Sequence, residues 1–377
     1  MKRKIKKHSI DKKFLWITLI LLGVGLTTFI STSLGIFTED PSKFYGMMIR
    51  HVGLGVVGGL GVMYITSRIH YSFWKKFAPH IFIVGIIITL LVFTPIGFSH
   101  GGARRWISLG FISFQPAELL KFAVIVFFSA WFAHFEKEIK TWKYGFFAFI
   151  GFLALAVLPL MRQPDSGTFA LIGIVSFVLY WLRGAPWKHI IVTVVMGMVA
   201  IGGYVAVNPH IIDRIQTFTD PNRDPFGSSY QIRQSRIAIG AGRLYGRGLG
   251  QSVHKFGPFL PESYSDSIFA IFAEEYGFIG GFILVTLYGL FAFFGLRIAR
   301  HAPSVFAQNL VVGIILLIVI QVFFNIAAIS GLVPLSGLPL IFMSNGGTAL
   351  AVTLAQAGII LNISRYTKKR TIKPKRI

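Results

Sequence analysis

A chain of 377 residues that is 54% hydrophobic and 15% aromatic, with only 14 acids, has too much apolar surface for a soluble core to hide, whereas a bundle in lipid need not hide it. Its mean hydropathy of +0.67 agrees. The formal net charge of +23 argues against nucleic acid by its placement at both tails and in alternate short loops, and the lack of cysteine excludes disulfides, thiol nucleophiles and cysteine-held metals.

Residues 1–13 carry seven Lys/Arg and precede an apolar run from Phe14 that is long enough to span a bilayer. No small-x-small cleavage pattern closes it, so the reading is a retained first helix, not a removed signal peptide. Spanning-length segments are predicted at 14–36, 45–66, 80–98, 117–134, 144–161, 166–182, 189–207, 267–296, 307–333 and 345–363. The second carries Arg50 and His51 in its first turns. The expected fold is all-α, a polytopic membrane protein of ten transmembrane helices. A basic tail (1–13) precedes the membrane domain (14–364), and a second basic tail (365–377) follows it. The long loop 208–265, between helices seven and eight, is extracytoplasmic in this reading. With the N-terminus inside, the cytoplasmic segments hold 24 of the 37 Lys/Arg, which places both termini in the cytoplasm.

Basic residues on the outer side run against that trend and suggest an anionic ligand, or acidic lipid headgroups. Helix four opens with Phe114-Gln-Pro-Ala-Glu-Leu-Leu-Lys121. Pro116 suits a first helical turn. Glu118 and Lys121 share a face, either as a structural ion pair or with Lys121 presented to a cavity and oriented by Glu118. Asp165, in Arg162-Gln-Pro-Asp-Ser-Gly-Thr168, reads as a helix cap or as a cavity residue. In the long loop, glycines 240, 242, 246, 248 and 250 interleave with Arg243 and Arg247. They could wrap a phosphate or simply turn the chain. No Gly-Lys-Ser/Thr signature supports nucleotide hydrolysis.

Asp266 ends the loop, in Leu260-Pro-Glu-Ser-Tyr-Ser-Asp-Ser-Ile-Phe269, where the chain enters helix eight. An acid there is expensive without a task or a partner. Glu274 lies about 12 Å deeper along that helix. It and Glu275 are expected to pair with basic groups inside the bundle. No carboxylate near Asp266 in sequence offers a two-acid glycosidase arrangement. The chain closes with Gln321, Asn325, a Pro/Gly-rich stretch from Gly331 to Pro339, and Ser344-Asn-Gly-Gly-Thr348. No ligand cluster for a protein-held metal is visible.

Taken together these segments resemble the SEDS family (shape, elongation, division, sporulation), whose members include FtsW and RodA. The likeness rests on Gly102-Ala-Arg-Arg-Trp-Ile107, Phe114-Gln-Pro-Ala-Glu118 with Lys121, and Gln163-Pro-Asp165 with Gly167-Thr168. It continues through Tyr230-Gln231, Gln234-Ser235, Ala238-Ile-Gly240, Gly248-Leu-Gly250, Leu260-Pro-Glu262, Asp266, Glu274-Glu275, Asn325-Ile326, Gly337-Leu-Pro339 and Ser344 with Gly346-Gly347. It runs from about 100 to 364 in the family's order.

The resemblance implies a peptidoglycan glycosyltransferase of the bacterial inner membrane that polymerises lipid II, with the carboxylate of Asp266 as the favoured catalytic residue. It implies an outward cavity lined by Trp106, Glu118, Lys121 and Asp165; the expected substrate-binding set adds Arg104, Gln115, Gln234, Ser235, Glu262 and Ser344, with Arg243, Arg247 and Lys255 as cations for the diphosphate. A class B penicillin-binding protein and other divisome proteins are the implied partners. No cofactor is evident, although a divalent cation, Mg or Mn, could accompany the substrate diphosphate. Tyr230-Gln231 and Gly102-Ala-Arg-Arg-Trp lean toward FtsW and septal synthesis over the elongation branch. The usual His-Thr-Asp-Phe is here Tyr264-Ser-Asp-Ser267, and Ser-Tyr-Gly-Gly-Ser-Ser is Ser344-Asn-Gly-Gly-Thr-Ala349. Tyr264 or Ser265 is expected to replace the imidazole's hydrogen bond. The rival readings are a lipid II flippase, against which no inverted repeat or paired broken helices are evident, and a non-catalytic scaffold.

Overall fold

The computed structural model describes residues 8–100, 103–108, 113–163, 165–220, 228–256, 259–260 and 264–367. Helix α1 (Lys12–Glu39) starts where the Asp11 carboxylate accepts the Phe14 N–H at 3.1 Å, and its 28 residues rise about 42 Å. Helix α2 (Pro41–Met48), a π-wound stretch (Ile49–Gly58) and α3 (Gly59–Arg68) follow as one 28-residue apolar segment. Its two polar residues are placed differently. Arg50 is exposed and donates to the Gly46 carbonyl, while His51 is buried against the Phe29 ring at 3.8 Å between centroids.

Helix α4 (Ser72–Leu90) begins earlier than the predicted 80, because the exposed Lys75 and Lys76 sit on its first turns with their heads in the polar zone. It also stops well short of 98. Strands β1 (Gly97–His100), β2 (Ala103–Ser108) and β3 (Ser113–Phe114) form a small antiparallel sheet in that order, pairing Gly97 with Ile107 and Ile107 with Phe114. Short apolar runs such as Ile96–Phe98 do not separate strand from helix by periodicity.

Helices α5 (Pro116–His134), α6 (Ala148–Arg162, after a π-wound turn Trp142–Phe147), α7 (Ser166–Leu182) and α8 (Trp187–Val207) follow. Two further helices, α9 (Pro209–Thr219) and α10 (Ser228–Ala241), occupy what the sequence presents as loop. The bundle closes with α11 (Ile268–Arg300), α12 (Val305–Ile329) and α13 (Gly347–Ser364). Among the described residues nine segments are long and apolar enough to cross a membrane. The predicted sixth span, α7, has 17 residues and rises about 26 Å, at the short end of the spanning range.

Burial separates centre from rim. The apolar window of α5 is 72% buried and that of α13 67%, against 17% for α8. Lipid tails give no hydrophobic drive between helices, so close contact depends on small residues. Gly358 of α13 shows this: a Cβ there would lie 2.1 Å from Thr66 Oγ1 and 2.3 Å from the Met63 carbonyl oxygen of α3.

Helix α11 is broken. Gly277 has φ 67° and ψ −166°, and the Phe278 and Ile279 N–H groups donate to the carbonyls of Arg243 and Leu244 at 2.9 and 3.1 Å. In return the Arg247 and Gly248 N–H groups donate to the carbonyls of Glu274 and Glu275, both at 2.9 Å. The glycine-rich segment is thus clasped into the break, at the depth of the two glutamates. Non-helical backbone persists at such depth only where protein satisfies it. These four bonds do so.

Candidate active site

Asp266 lies in the turn just before α11, half-buried. Its backbone is held from three sides. Asn325 Nδ2 donates to the Asp266 carbonyl at 2.9 Å, Ser344 Oγ to the Ser265 carbonyl at 2.6 Å, and the Asn345 N–H to the Tyr264 carbonyl at 2.9 Å. On the carboxylate itself, Ser265 Oγ donates to Oδ1 at 3.2 Å. Of the two neighbours expected to replace an imidazole, Ser265 makes this bond.

The carboxylate opens on a hollow of about 110 Å³ lined by Arg214, Gln231, Asp266, Asn325, Ser336 and Gly337, with Ala328, Ile329 and Leu335 as its apolar side. Gly337 keeps it open. A Cβ there would sit 3.7 Å from Asp266 Oδ2 and 3.9 Å from Arg214 Nη2, and its φ of +66° disfavours a side chain.

Arg214 reaches the hollow from α9, with Nη1 at 3.5 Å from Ser166 Oγ. Burial and the neighbouring Arg105 draw its guanidinium below the ordinary arginine range, and Asp266, Asp165 and Tyr204 push it back up. Gln231 Nε2, on α10, donates to Ser267 Oγ at 2.9 Å, and Arg236 Nη2 pins the same helix to the Gly331 carbonyl at 2.8 Å.

Behind Asp266 the bonds continue inward. Asn325 Nδ2 also donates to the Leu338 carbonyl at 2.7 Å, and one turn along α12 Gln321 Nε2 donates to the Pro339 carbonyl at 2.9 Å. Lys121 Nζ lies 2.8 Å from Glu118 Oε1 and 2.7 Å from Gln321 Oε1, fully enclosed. The pair therefore ties α5 to α12 and to the stretch that carries Gly337. A Lys121 head presented to an open cavity is not what the structure has.

The remaining expected site residues divide. Asp165 caps α7, accepting the Thr168 N–H at 3.2 Å, and its other oxygen lies 3.5 Å from Gln115 Nε2; neither residue lines the hollow. Arg104 is turned away, donating to the carbonyls of Gly97 (3.1 Å) and Thr94 (2.6 Å) within the hairpin. Arg105, the extra residue where the register between β1 and β2 shifts, instead donates to the Gln163 carbonyl at 3.1 Å and lies close enough to Arg214 to oppose its charge, and Trp106 beside it is half-buried. Gln234 lies one turn past Gln231 and does not line the hollow, and the buried Ser235 hydroxyl donates to its own helix at Gln231.

The phosphate-wrapping expectation for the glycine-rich loop fails, because its N–H groups at Arg247 and Gly248 serve the α11 break. Arg243 is exposed. Arg247 pairs with Glu274 at 3.4 Å, and Lys255 is buried against Glu275 at 3.0 Å and Ser31 at 3.2 Å. Glu274 also accepts from Ser252 Oγ at 2.5 Å and lies 3.0 Å from His254 Nδ1. The two glutamates thus have the basic partners the sequence led us to expect, and the cations follow them away from Asp266. Glu262 lies outside the described residues.

Sequence reasoning missed Arg214, Arg105, Gln231 and Asn325 as site residues. A helical reading of Pro209-His-Ile-Ile-Asp-Arg214 would have set that arginine on an amphipathic face.

The family model described as "Cell cycle protein" (FtsW/RodA/SpoVE) matches residues 12–369. The stage V sporulation protein E of Bacillus subtilis (strain 168) is 36% identical over 96% of this chain and 99% of its own. A probable peptidoglycan glycosyltransferase FtsW of Saccharophagus degradans is 33% identical over 92% of this chain and 90% of its own. Among solved structures, a chain from "Structural coordination of polymerization and crosslinking by a peptidoglycan synthase complex" superposes with a TM-score of 0.77 at 24% identity, over 96% of this chain and 99% of that one. The rod shape determining protein RodA of Thermus thermophilus superposes at 0.66 with 23% identity, over 95% and 98%. Those two likenesses concern the fold.

Proposed function

Because the chain belongs to the FtsW/RodA/SpoVE family of cell cycle proteins, the SEDS proteins, we propose that it is a peptidoglycan glycosyltransferase polymerising lipid II for septal wall synthesis. The observation that carries this reading is the carboxylate of Asp266, fixed through Asn325, Ser344 and Asn345 and opening on a hollow that it shares with Arg214. The 4-hydroxyl of the acceptor sugar attacks the anomeric carbon of the donor, and undecaprenyl diphosphate leaves. Asp266 takes the hydroxyl proton as general base, which needs hydrogen-bond reach to the acceptor. Charge grows on the diphosphate, and Arg214, with Arg105 beside it, is the cationic side of the site that stabilises it. A single displacement inverts the anomeric carbon. A divalent cation is read as arriving with the diphosphate, since among the described residues no three His, Asp or Glu side chains gather to hold one.

The enzyme is a multi-pass membrane protein. Its placement in the bacterial inner membrane with both termini in the cytoplasm is part of this proposal, supported by the Lys/Arg distribution. A class B penicillin-binding protein is the proposed crosslinking partner, alongside other division proteins, in keeping with the fold's likeness to a chain of a peptidoglycan synthase complex. One observation favours a second reading, lipid II flipping: the broken α11 is a device transporters use around a midplane site.

Purified protein with its partner and lipid II is expected to make glycan polymer, and Asp266→Asn to lower that rate at least a hundredfold. Full activity in the variant removes Asp266 from the mechanism. Movement of fluorescent lipid II in proteoliposomes without polymer formation supports the flippase instead.

A further inference from the structure

Among the described residues that line the hollow, the cation beside Asp266 is Arg214, and it has more than one anionic neighbour. Arg214 interacts electrostatically with Asp266 ahead of α11, with Asp165 at the N-terminus of α7 and with Tyr204 of α8, and it is opposed by Arg105 of β2. The two carboxylates and two guanidiniums balance. The bond from Arg214 to Ser166 is long, 3.5 Å, so charge rather than a tight directional contact sets the guanidinium's position. Both groups border the space that a side chain at Gly337 would take, since a Cβ there would lie 3.7 Å from Asp266 Oδ2 and 3.9 Å from Arg214 Nη2.

We propose that Arg214 is an exchange cation: in the substrate-free protein its charge acts on Asp266 across the hollow they share, without a direct ion pair, and a bound donor diphosphate draws it away, making Asp266 a stronger base when the donor is in place. This rests on the glycosyl-transfer reading and names the residue that couples donor binding to proton abstraction. The chemistry favours the exchange. A diphosphate offers the guanidinium fork more charge and paired oxygens than one carboxylate does. A carboxylate facing an arginine holds protons weakly, and it gains basicity when the arginine turns to a nearby anion. In the reaction the acceptor O–H proton moves to Asp266, the new C–O bond forms at the anomeric carbon, and the electron pair of the broken C–O bond leaves on the diphosphate. Arg214 then faces that added negative charge.

Competition for one guanidinium predicts a coupling that can be measured without turnover. With full-length protein in micelles and undecaprenyl diphosphate as probe, Asp266→Asn is expected to tighten binding roughly tenfold, and Arg214→Gln to weaken it by a similar factor. In the Arg214→Gln background the gain from Asp266→Asn should vanish. An equal gain in both backgrounds would mean simple relief of repulsion between the two anions, and no gain in either would mean no competition; both overturn the proposal. Arg214→Lys keeps the charge and should retain part of the affinity, and it serves as the test if the glutamine variant does not fold.

A second readout follows turnover. In the wild type the acid limb of kcat should lie about one pH unit or more above that of kcat/KM, because the donor-bound enzyme has released Asp266. In Arg214→Gln the two limbs should coincide, which loss of a merely structural arginine would not produce. If the wild type makes no glycan, the glycosyl-transfer reading fails while the binding cycle still judges Arg214.

Discussion

Lys121 and Glu118 are both almost wholly buried, at 2% and 5% exposure, and 2.8 Å apart. Removing one partner of such a pair strands the other as an uncompensated charge, at a cost of about 3–5 kcal/mol. Lys121→Met is therefore expected to lower thermal stability in detergent sharply, and the double variant Glu118→Gln/Lys121→Met to recover most of it. If the lysine acts through architecture, the double variant should regain activity along with stability; recovered stability with activity still absent would assign Lys121 to the substrate. The i, i+3 spacing made this pair legible from sequence, as the capping geometry made Asp165 legible. The choice between Arg104 and Arg105, or between Gln231 and Gln234, was not legible. Each depends on one residue of strand register or one turn of helix phase, and both are fixed by contacts remote in the chain, such as the bond from Arg105 to the Gln163 carbonyl.

At the scale of elements the break in α11 decides where the outer loop goes. Its backbone conformation at Gly277 belongs to a region that other residues enter only with strain of about 1–3 kcal/mol. A Cβ there would also lie 2.3 Å from the Gly246 nitrogen and 2.6 Å from the Leu244 carbonyl oxygen. Gly277→Ala is expected to unseat the clasp, exposing 243–256 to limited proteolysis and freeing Glu274 and Glu275 from their partners. Gly281→Ala, four residues on with nothing within 4 Å of the new Cβ, should be neutral or stabilise the helix by about 0.5–1 kcal/mol. Equal protease resistance in the two variants would remove the clasp from this account. The sequence concealed the break because the apolar run resumes directly after Gly277, and the two glutamates before it read as buried charges in need of partners. The bonds that compensate it come from a glycine-rich stretch whose own pattern fits a turn as well as a ligand loop. The pairing of Glu274 and Glu275 with basic groups was readable from burial cost alone, whereas the identity of those groups was set by the clasp.

For the molecule as a whole, the hydropathy segments and the ten-helix order were readable because lipid obliges each crossing to satisfy its own backbone, which leaves long apolar runs. The sheet, α9 and α10 were not, since outside the bilayer that obligation lapses and short polar helices look like loop. These are the elements that close the end of the bundle where α5, α7 and α11 begin, and they bring Arg214 and Gln231 to Asp266. The proposed chemistry requires that end to face outward, and the proposed topology, read from the Lys/Arg surplus at both tails and at Lys137, Lys140 and Lys143, turns the other end to the cytoplasm. One experiment tests both requirements, because the chain has no cysteine and every introduced thiol reports alone. Thr219 at the end of α9 and Lys137 after α5 are both exposed. In spheroplasts, Thr219→Cys should react with a membrane-impermeant maleimide directly, and Lys137→Cys only after the membrane is permeabilised. The reverse pattern would place Asp266 on the cytoplasmic side, out of reach of a growing wall, and neither the polymerase nor its coupling through Arg214 could then operate as described.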